Sequence, residues 1–173
     1  MNNQEIIAQL FGFISLLLGI SVFYQKDDRK LKIVMLIFNV NHLIHFIILG
    51  SVVSALGALL STIRTGLAIR LSSVWVAAPF IAISIGSGVM LAENLWQLWA
   101  IAGTVFGTYS VFLLSGIKMR CGFLLGSTCW LINNISVGSI GGTVLELTVI
   151  IMNLITIKRL YFDSKSPLTT DQI

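Results

Sequence analysis

Seven long apolar segments constrain the fold of this chain more than any other feature. They span residues 6–24, 31–49, 52–69, 74–91, 95–114, 119–137 and 143–157. A helix needs about 20 mainly apolar residues to cross the hydrocarbon core of a bilayer. A membrane barrel would instead alternate apolar and polar residues in segments of about ten. The sequence therefore predicts an all-α membrane protein with seven transmembrane helices.

The composition agrees with a membrane environment. Of the 173 residues, 56% are hydrophobic and 10% are charged, whereas a soluble domain carries about 25% charged residues. A chain this short cannot bury so much apolar surface in a core of its own, so we expect the lipid bilayer to be its main solvent and partner. The seven segments leave room for a single transmembrane domain at 1–160 and a short cytoplasmic tail at 161–173.

All eleven basic residues lie on one side of the predicted helices. The connections on the other side, 50–51, 92–94 and 138–142, hold none. The positive-inside rule places the N-terminus in the periplasm and the C-terminus in the cytoplasm of a bacterial inner membrane. Because these charges sit at helix ends, we expect them to anchor the protein at lipid head groups. They form no folded basic surface, so no nucleic-acid partner is predicted. The basic residues are Lys26, Arg29, Lys30, Lys32, Arg64, Arg70, Lys118, Arg120, Lys158, Arg159 and Lys165.

Short matches separated by 88 or 89 residues indicate an internal repeat. Gln9 recurs as Gln97, and Gly19 recurs as Gly107. Parallel repeats related by an axis along the membrane normal are a known transporter plan, with the substrate near the midplane between the halves. The predicted arrangement is three helices, one linker helix and three helices (3+1+3). Its units are repeat one at 6–71, the linker helix at 74–91 and repeat two at 95–160.

Three segments carry a family resemblance that covers nearly the whole chain. They are the run from His45 to Gly50, Ser127-Thr128-Cys129-Trp130, and the glycine-rich run 138–143 followed by Glu146. These segments resemble the YgjV-type family of bacterial inner-membrane proteins. That family is more distantly similar to the SWEET, PQ-loop and nicotinamide-riboside carrier group, which shares the 3+1+3 plan. The resemblance implies a small-solute carrier by analogy, although SWEET-type repeats carry hinge prolines and neither repeat here contains one.

Polar side chains within the apolar segments are candidates for a solute site. Such residues are costly in hydrocarbon, and they usually face the bundle interior or a pathway. Asn41, His42 and His45 share one face of the second helix, where the alternative is interhelical hydrogen bonding that fixes packing. For Arg64 on the third helix the alternative is snorkelling to the interface. The candidate substrate-binding residues are His42, His45, Arg64, Asn133, Asn134, Glu146 and Asn153.

The two halves contribute to this set in parallel. With an offset of 89, Asn134 matches His45 and Asn153 matches Arg64. His45 and Glu146 lie at similar predicted depths in opposite repeats. Because histidine titrates near neutral pH, this pair is a candidate for coupling a proton to solute movement. The alternative for Glu146 is an interfacial carboxylate that water reaches.

No catalytic motif is present in the sequence, which lacks a metalloprotease HExxH, a nucleophile elbow and a phosphate-cradling loop. We therefore expect no enzymatic activity, no cofactor and no metal. Two functions fit the pattern. The first is a small-solute transporter of the inner membrane that binds a small polar solute, with or without a proton, between its repeats. The second is a non-transporting scaffold, sensor or assembly partner whose polar residues serve packing.

Overall fold

The chain folds into α-helices, as the apolar segments predict. The computed structural model describes residues 3–48, 52–91, 95, 98–136 and 140–165. Its seven helices are α1 (Asn3–Tyr24), α2 (Asp28–Ile48), α3 (Val52–Ala68), α4 (Val74–Leu91), α5 (Leu98–Leu113), α6 (Gly116–Ser136) and α7 (Ile140–Lys165). Over this described part of the chain there is no strand. Within the same residues, no helix combines the length and the apolar character needed to cross a membrane.

Polar residues at the turns start the helices on the basic side of the bundle. The Asp27 carboxylate accepts a hydrogen bond from the Lys30 backbone N–H at 2.7 Å, and Ser73 Oγ accepts one from the Trp75 N–H at 3.2 Å. Both side chains satisfy N–H groups that a helix start leaves unpaired. Gly116, with a φ of 56°, turns the chain from α5 into α6, a conformation that glycine adopts without strain.

Helix α7 is longer than the apolar segment 143–157 indicated. It begins at Ile140, so Gly141 and Gly142, which were expected to form a turn, lie in the helix. It also includes residues 161–165, which were expected to belong to the tail. The extension is held against the end of α1, because Arg159 Nη1 donates to the Tyr24 carbonyl at 2.9 Å and Lys26 forms an ion pair with Asp163. An apolar segment therefore marks the apolar part of this helix rather than its ends.

The helices α1–α3 and α5–α7 form a ring, and α4 packs against α5. Helix α2 packs between α1 and α3, and α6 packs between α5 and α7 in the same way. Contacts of α1 with α7 and of α3 with α5 close the ring. We call α1–α3 the first half and α5–α7 the second half. The counterparts are α1 and α5, α2 and α6, and α3 and α7. When each helix is exchanged for its counterpart, the same pairs of helices remain neighbours.

Burial follows the same correspondence between the halves. Positions 88 residues apart are buried in pairs, each side chain being at most 9% exposed. Apolar and polar residues both take part, so the pairs reflect position in the bundle rather than residue type. The pairs are Val22 and Ser110, Leu31 and Met119, Lys32 and Arg120, Thr65 and Asn153, and Ala68 and Thr156.

The end of α1 is tied to the second half through its last carbonyls, which have no partner within the helix. Thr156 Oγ1 donates to the Phe23 carbonyl at 2.6 Å, and Arg120 Nη2 donates to the Gln25 carbonyl at 2.9 Å. Together with Arg159, these donors place positive charge at the C-terminal end of α1, where the helix dipole favours it. The predicted repeat match at Gln97 and the connections 50–51, 92–94 and 138–139 lie outside the described residues.

Candidate functional site

A cavity of about 200 Å³ lies between the two halves. Its described lining residues come from α1, α2 and α3 of the first half and from α5, α6 and α7 of the second. Five pairs of these residues are separated by 88 positions, as the predicted repeat would require. The pairs are Gly19 and Gly107, Met35 and Phe123, Phe38 and Gly126, Asn39 and Ser127, and Ser61 and Val149.

Arg64 brings a partly buried guanidinium group to the cavity from α3. Its Nη1 donates to Thr108 Oγ1 on α5 at 2.8 Å, and that hydroxyl donates in turn to the Thr104 carbonyl at 2.8 Å. The Nε atom of Arg64 is buried and has no hydrogen-bond partner. No carboxylate among the described residues forms an ion pair with it. Arg64 therefore faces the cavity and does not snorkel to an interface.

Glu146 faces the same cavity from α7 of the second half, and its carboxylate accepts a hydrogen bond from the Ser127 hydroxyl on α6. Asn39 lies on the wall formed by the first half. Its Nδ2 donates to Thr65 Oγ1 at 2.9 Å and to the Ser61 carbonyl at 3.2 Å. The cavity thus combines one basic group, one acidic group and several neutral polar groups.

The ring of Trp130 forms an apolar wall of the cavity. It packs so tightly against α5 that a Cβ atom added at Gly103 would lie 2.6 Å from Trp130 Cδ1. Phe38 and Phe123 add aromatic surface from α2 and α6. The polar groups therefore stand among rigid apolar rings, which is the usual composition of a small-molecule site.

The two histidines of the predicted site do not line the cavity. His42 Nδ1 is 3.1 Å from Ser15 Oγ, and the His42 ring stacks between Phe38 and His45 with centroid distances of 5.2 Å and 5.9 Å. These contacts fit the packing alternative for this face of α2. Glu146 is in the cavity wall and His45 is not. Coupling of a proton between the two side chains stays a prediction.

The three predicted asparagines also lie away from the cavity. Asn153 is fully buried, and its Nδ2 donates to the Arg120 carbonyl at 2.7 Å. Asn133 and Asn134 are half-buried near the end of α6. The pairs in the cavity wall share an offset of 88, which matches Asn153 with the buried Thr65 and not with Arg64. A shift of one residue turns a helix position by about 100°, so the 89-residue match selected a different face.

Of the seven predicted residues, the structure brings Arg64 and Glu146 together at the cavity and places the other five elsewhere. The predicted site did not include the wall residues Asn39, Thr104, Ser127 and Trp130. The signal that identifies two of them is the 88-residue offset, since Asn39 and Ser127 are polar at equivalent positions.

Arg120 is also placed differently from the expectation that basic residues anchor at lipid head groups. Its side chain is 0% exposed, and Nη1 lies 3.2 Å from Asp28 Oδ1. Asp28 Oδ2 accepts a hydrogen bond from the Gly116 N–H at 2.5 Å. Lys32 is similarly buried and donates to the Ala68 carbonyl at 3.0 Å. These two cations hold helices together at the basic end of the bundle.

Two helical halves around a cavity with a guanidinium on one side and a carboxylate on the other define an α-helical bundle protein with an internal polar site. The family of bacterial inner membrane proteins designated Imp-YgjV matches residues 6–164. Inner membrane protein YgjV of Escherichia coli (strain K12) is 34% identical over 155 residues, which are 90% of this chain and 85% of that relative. The chain belongs to this family, whose location is the bacterial inner membrane. No solved structure matches it.

Proposed function

We propose that this protein is a small-solute carrier of the bacterial inner membrane, with its solute site in the cavity between the two halves. The observation that carries the proposal is the cavity itself. Both halves contribute to it at equivalent positions, and each supplies one charged group. Charged side chains are expensive inside a membrane protein and usually mark a pathway when they face an internal cavity. An enzyme or a closed packing seam has no need of this symmetric arrangement.

The bundle is proposed to lie in the bilayer as seven crossing helices. The outer surfaces of the helices support this, because Leu17, Ile47 and Ile135 are at least 61% exposed. Exposed apolar surface of this kind marks contact with lipid or with another protein. The contacts among Lys26, Asp28 and Arg120 gather basic helix ends at one end of the bundle. We propose that this end faces the cytoplasm, with the N-terminus outside.

Movement of the two halves against each other would expose the cavity to either side in turn. The seams between halves are the contacts of α1 with α7 and of α3 with α5. At the basic end, the bonds from Thr156, Arg159 and Arg120 to the end of α1 tie the halves together. Opening toward the cytoplasm would break these bonds. Alternating access by rocking of repeats about a fixed central site is a known carrier mechanism.

Accessibility of the cavity to water-soluble thiol reagents tests the proposal. In a background with Cys121→Ser and Cys129→Ser, Ser127→Cys places a thiol in the cavity wall. Ser110→Cys is the matched control, because Ser110 is 0% exposed on α5 and is not a wall residue. A carrier should allow a small, membrane-impermeant methanethiosulfonate to label Ser127→Cys from at least one face of oriented vesicles. The control should react only after denaturation.

The competing function is a non-transporting scaffold, sensor or assembly partner, and it predicts a different result. A dry internal seam would leave Ser127→Cys as unreactive as Ser110→Cys from both faces of the membrane. Labelling of both thiols after denaturation in detergent would show that the cysteines are present. That combination of results would reject the carrier.

A further inference from the structure

The cavity has opposite charges on opposite halves, and they do not pair with each other. Arg64 stands on α3 and Glu146 on α7, and these are counterpart helices of the two halves. We propose that the cavity binds a small zwitterion of the amino-acid type, with its carboxylate on Arg64 and its ammonium on Glu146. This proposal rests on the carrier function and adds the class of solute.

The unmet hydrogen-bonding capacity of Arg64 defines the anionic end of the solute. Thr108 is a neutral acceptor and occupies Nη1, whereas Nε is buried without a partner. A buried cation without a counter-charge is strongly disfavoured. A carboxylate matches the flat guanidinium because it can accept two parallel N–H bonds from one edge. Thr108 therefore leaves part of the hydrogen-bonding capacity of the Arg64 guanidinium unused.

Glu146 defines the cationic end in the same way. An ionised carboxylate has acceptor positions on two oxygens, and the Ser127 hydroxyl uses one of them. No described cation forms an ion pair with Glu146. An ammonium group of a solute would supply the missing donor and the missing charge together. A simple anion or cation would satisfy one of the two protein groups, and a neutral solute would satisfy neither charge.

The size of the cavity suits a short zwitterion. An apolar protein cavity of about 150 Å³ accommodates benzene, which has six non-hydrogen atoms. The cavity here measures about 200 Å³, which by the same scale fits a solute of roughly six to eight such atoms. Phe38, Phe123 and Trp130 offer apolar walls to its methylene groups.

Binding to the purified, detergent-solubilised protein tests the class of solute. The zwitterionic probes are glycine, L-alanine, β-alanine and γ-aminobutyrate, which vary the distance between the two charges. The probes with one charge or none are propionate, propylammonium and glycerol. We expect at least one zwitterion to raise the melting temperature of the protein. Its affinity should be at least about tenfold above those of the probes with one charge or none, because a hydrogen bond to a charged group strengthens binding by about this factor.

Single-residue variants test which side chains bind the two charged groups of the solute. Glu146→Gln should bind the preferred zwitterion at least about tenfold more weakly and no better than propionate, because only the Arg64 contact remains. Arg64→Gln should lose propionate and should bind the zwitterion no better than propylammonium, because only the Glu146 contact remains. Arg70 is an exposed cation two residues beyond the end of α3. The Arg70→Gln variant should therefore bind the probes as the wild type does. A Glu146→Gln variant with unchanged zwitterion affinity would overturn the proposal.

The wild-type series decides the question even if a variant fails to fold. Binding of propionate, propylammonium or glycerol as tightly as every zwitterion would reject charge-pair recognition. Absence of binding by all four zwitterions would also reject it. In either case, labelling of Ser127→Cys in oriented vesicles would still support a carrier with a different solute. Loss of that labelling would remove the carrier as well.

Discussion

Two arginines occupy different environments in this protein, and the difference separates structure from function. Arg120 has a counter-charge in Asp28 and carbonyl acceptors at Gln25 and Lys26. Arg64 has one neutral partner, Thr108, and a cavity in front of it. A buried ion pair that is also hydrogen bonded mainly fixes how elements meet. Arg64, which has no counter-charge among the described residues, is the group that we propose binds the solute.

Loss of the Asp28 charge should therefore destabilise the fold. Asp28→Asn leaves Arg120 buried without a counter-charge, and we expect a loss of about 2–3 kcal/mol in the free energy of unfolding. This is below the about 3–5 kcal/mol typical for a fully buried pair, because the Asp28 side chain is 28% exposed. Thermal unfolding of the solubilised protein measures the effect.

Asp27→Asn is the matched control for this prediction, since asparagine caps a helix start about as well as aspartate. It should change stability by less than about 0.5 kcal/mol, as expected for an exposed position that keeps its cap. Equal melting temperatures for the Asp27 and Asp28 variants would show that the Arg120 pair contributes nothing.

The sequence could not identify Arg120 as buried, because its partners come from other helices. Asp28 begins α2, and the accepting carbonyl of Gln25 follows α1. Counting basic residues by side of the membrane treats each as solvated at a head group. Arg64 was identified because it interrupts an apolar segment well inside its helix, where a charge demands an explanation.

At the level of elements, a close helix contact joins α5 and α6 through small residues. A Cβ atom at Gly103 would lie 2.9 Å from the Gly126 carbonyl oxygen, and one at Gly122 would lie 2.0 Å from Ser110 Oγ. Small residues let helix backbones approach closely in membrane proteins. This contact also sets the position of Trp130, whose ring rests on Gly103 and forms a wall of the cavity.

Gly103→Ala should loosen this contact and lower stability. The added methyl group meets the backbone of Gly126 and the ring of Trp130, neither of which can turn away, so we expect a loss of about 1–3 kcal/mol. Thermal unfolding of the solubilised variant gives the value. Trp130 fluorescence should also shift if the ring is displaced.

Gly107→Ala, one turn further along α5, is the control on the same helix. Its Cβ atom would meet nothing within 4 Å. Alanine favours a helix interior over glycine by about 0.5–1 kcal/mol, so this variant should be as stable as the wild type or more so. If both alanines had the same effect, close packing at Gly103 would not be what holds α5 to α6.

The existence of the helices followed from apolar segments, but their ends did not. Helix α4 has the bounds 74–91 that the sequence indicated, whereas α7 continues to Lys165. Within the last turns of α7, Lys165 lies over the Tyr161 ring at 4.5 Å and Lys158 lies 6.0 Å from the Phe162 ring. Such cation–π pairs support a helix outside the apolar zone, and hydropathy does not register them.

At the scale of the whole molecule, five wall residues of the second half lie 88 positions after five wall residues of the first. The offset of 88 that relates Gly19 to Gly107 also relates Asn39 to Ser127 in the cavity wall. The matches in the sequence indicated an offset of either 88 or 89. An offset of 89 pairs Arg64, a residue of the cavity wall, with Asn153, which is packed between helices. Because an α-helix has 3.6 residues per turn, the sequence offset alone does not decide which face of a helix lines the cavity. The neighbouring helices decide the face, and only the packed structure identifies them.

The distribution of charge makes the orientation of the bundle testable. Apart from Arg64, which lines the cavity, the basic residues belong to the side of the sequence that holds the 25–30 connection and the end of α7. The structure brings these two regions together through Lys26 and Asp163 and through Arg159 and Tyr24. One end of the bundle thus gathers the basic connections. Basic connections are retained in the cytoplasm during insertion.

We therefore expect a C-terminus in the cytoplasm. A reporter that is active only in the periplasm should be inactive when fused after Ile173, and a reporter that is active only in the cytoplasm should be active there. Fusions after Glu93, in the connection that lacks basic residues, should give the opposite pair of results. Each fusion site is read with both reporters, so a difference in expression level cannot produce the reversal. Reporters with the same active side at both sites would mean that the segment between them crosses the membrane an even number of times. The prediction of three crossings by α5, α6 and α7, and with it the placement of the second half, would then be wrong.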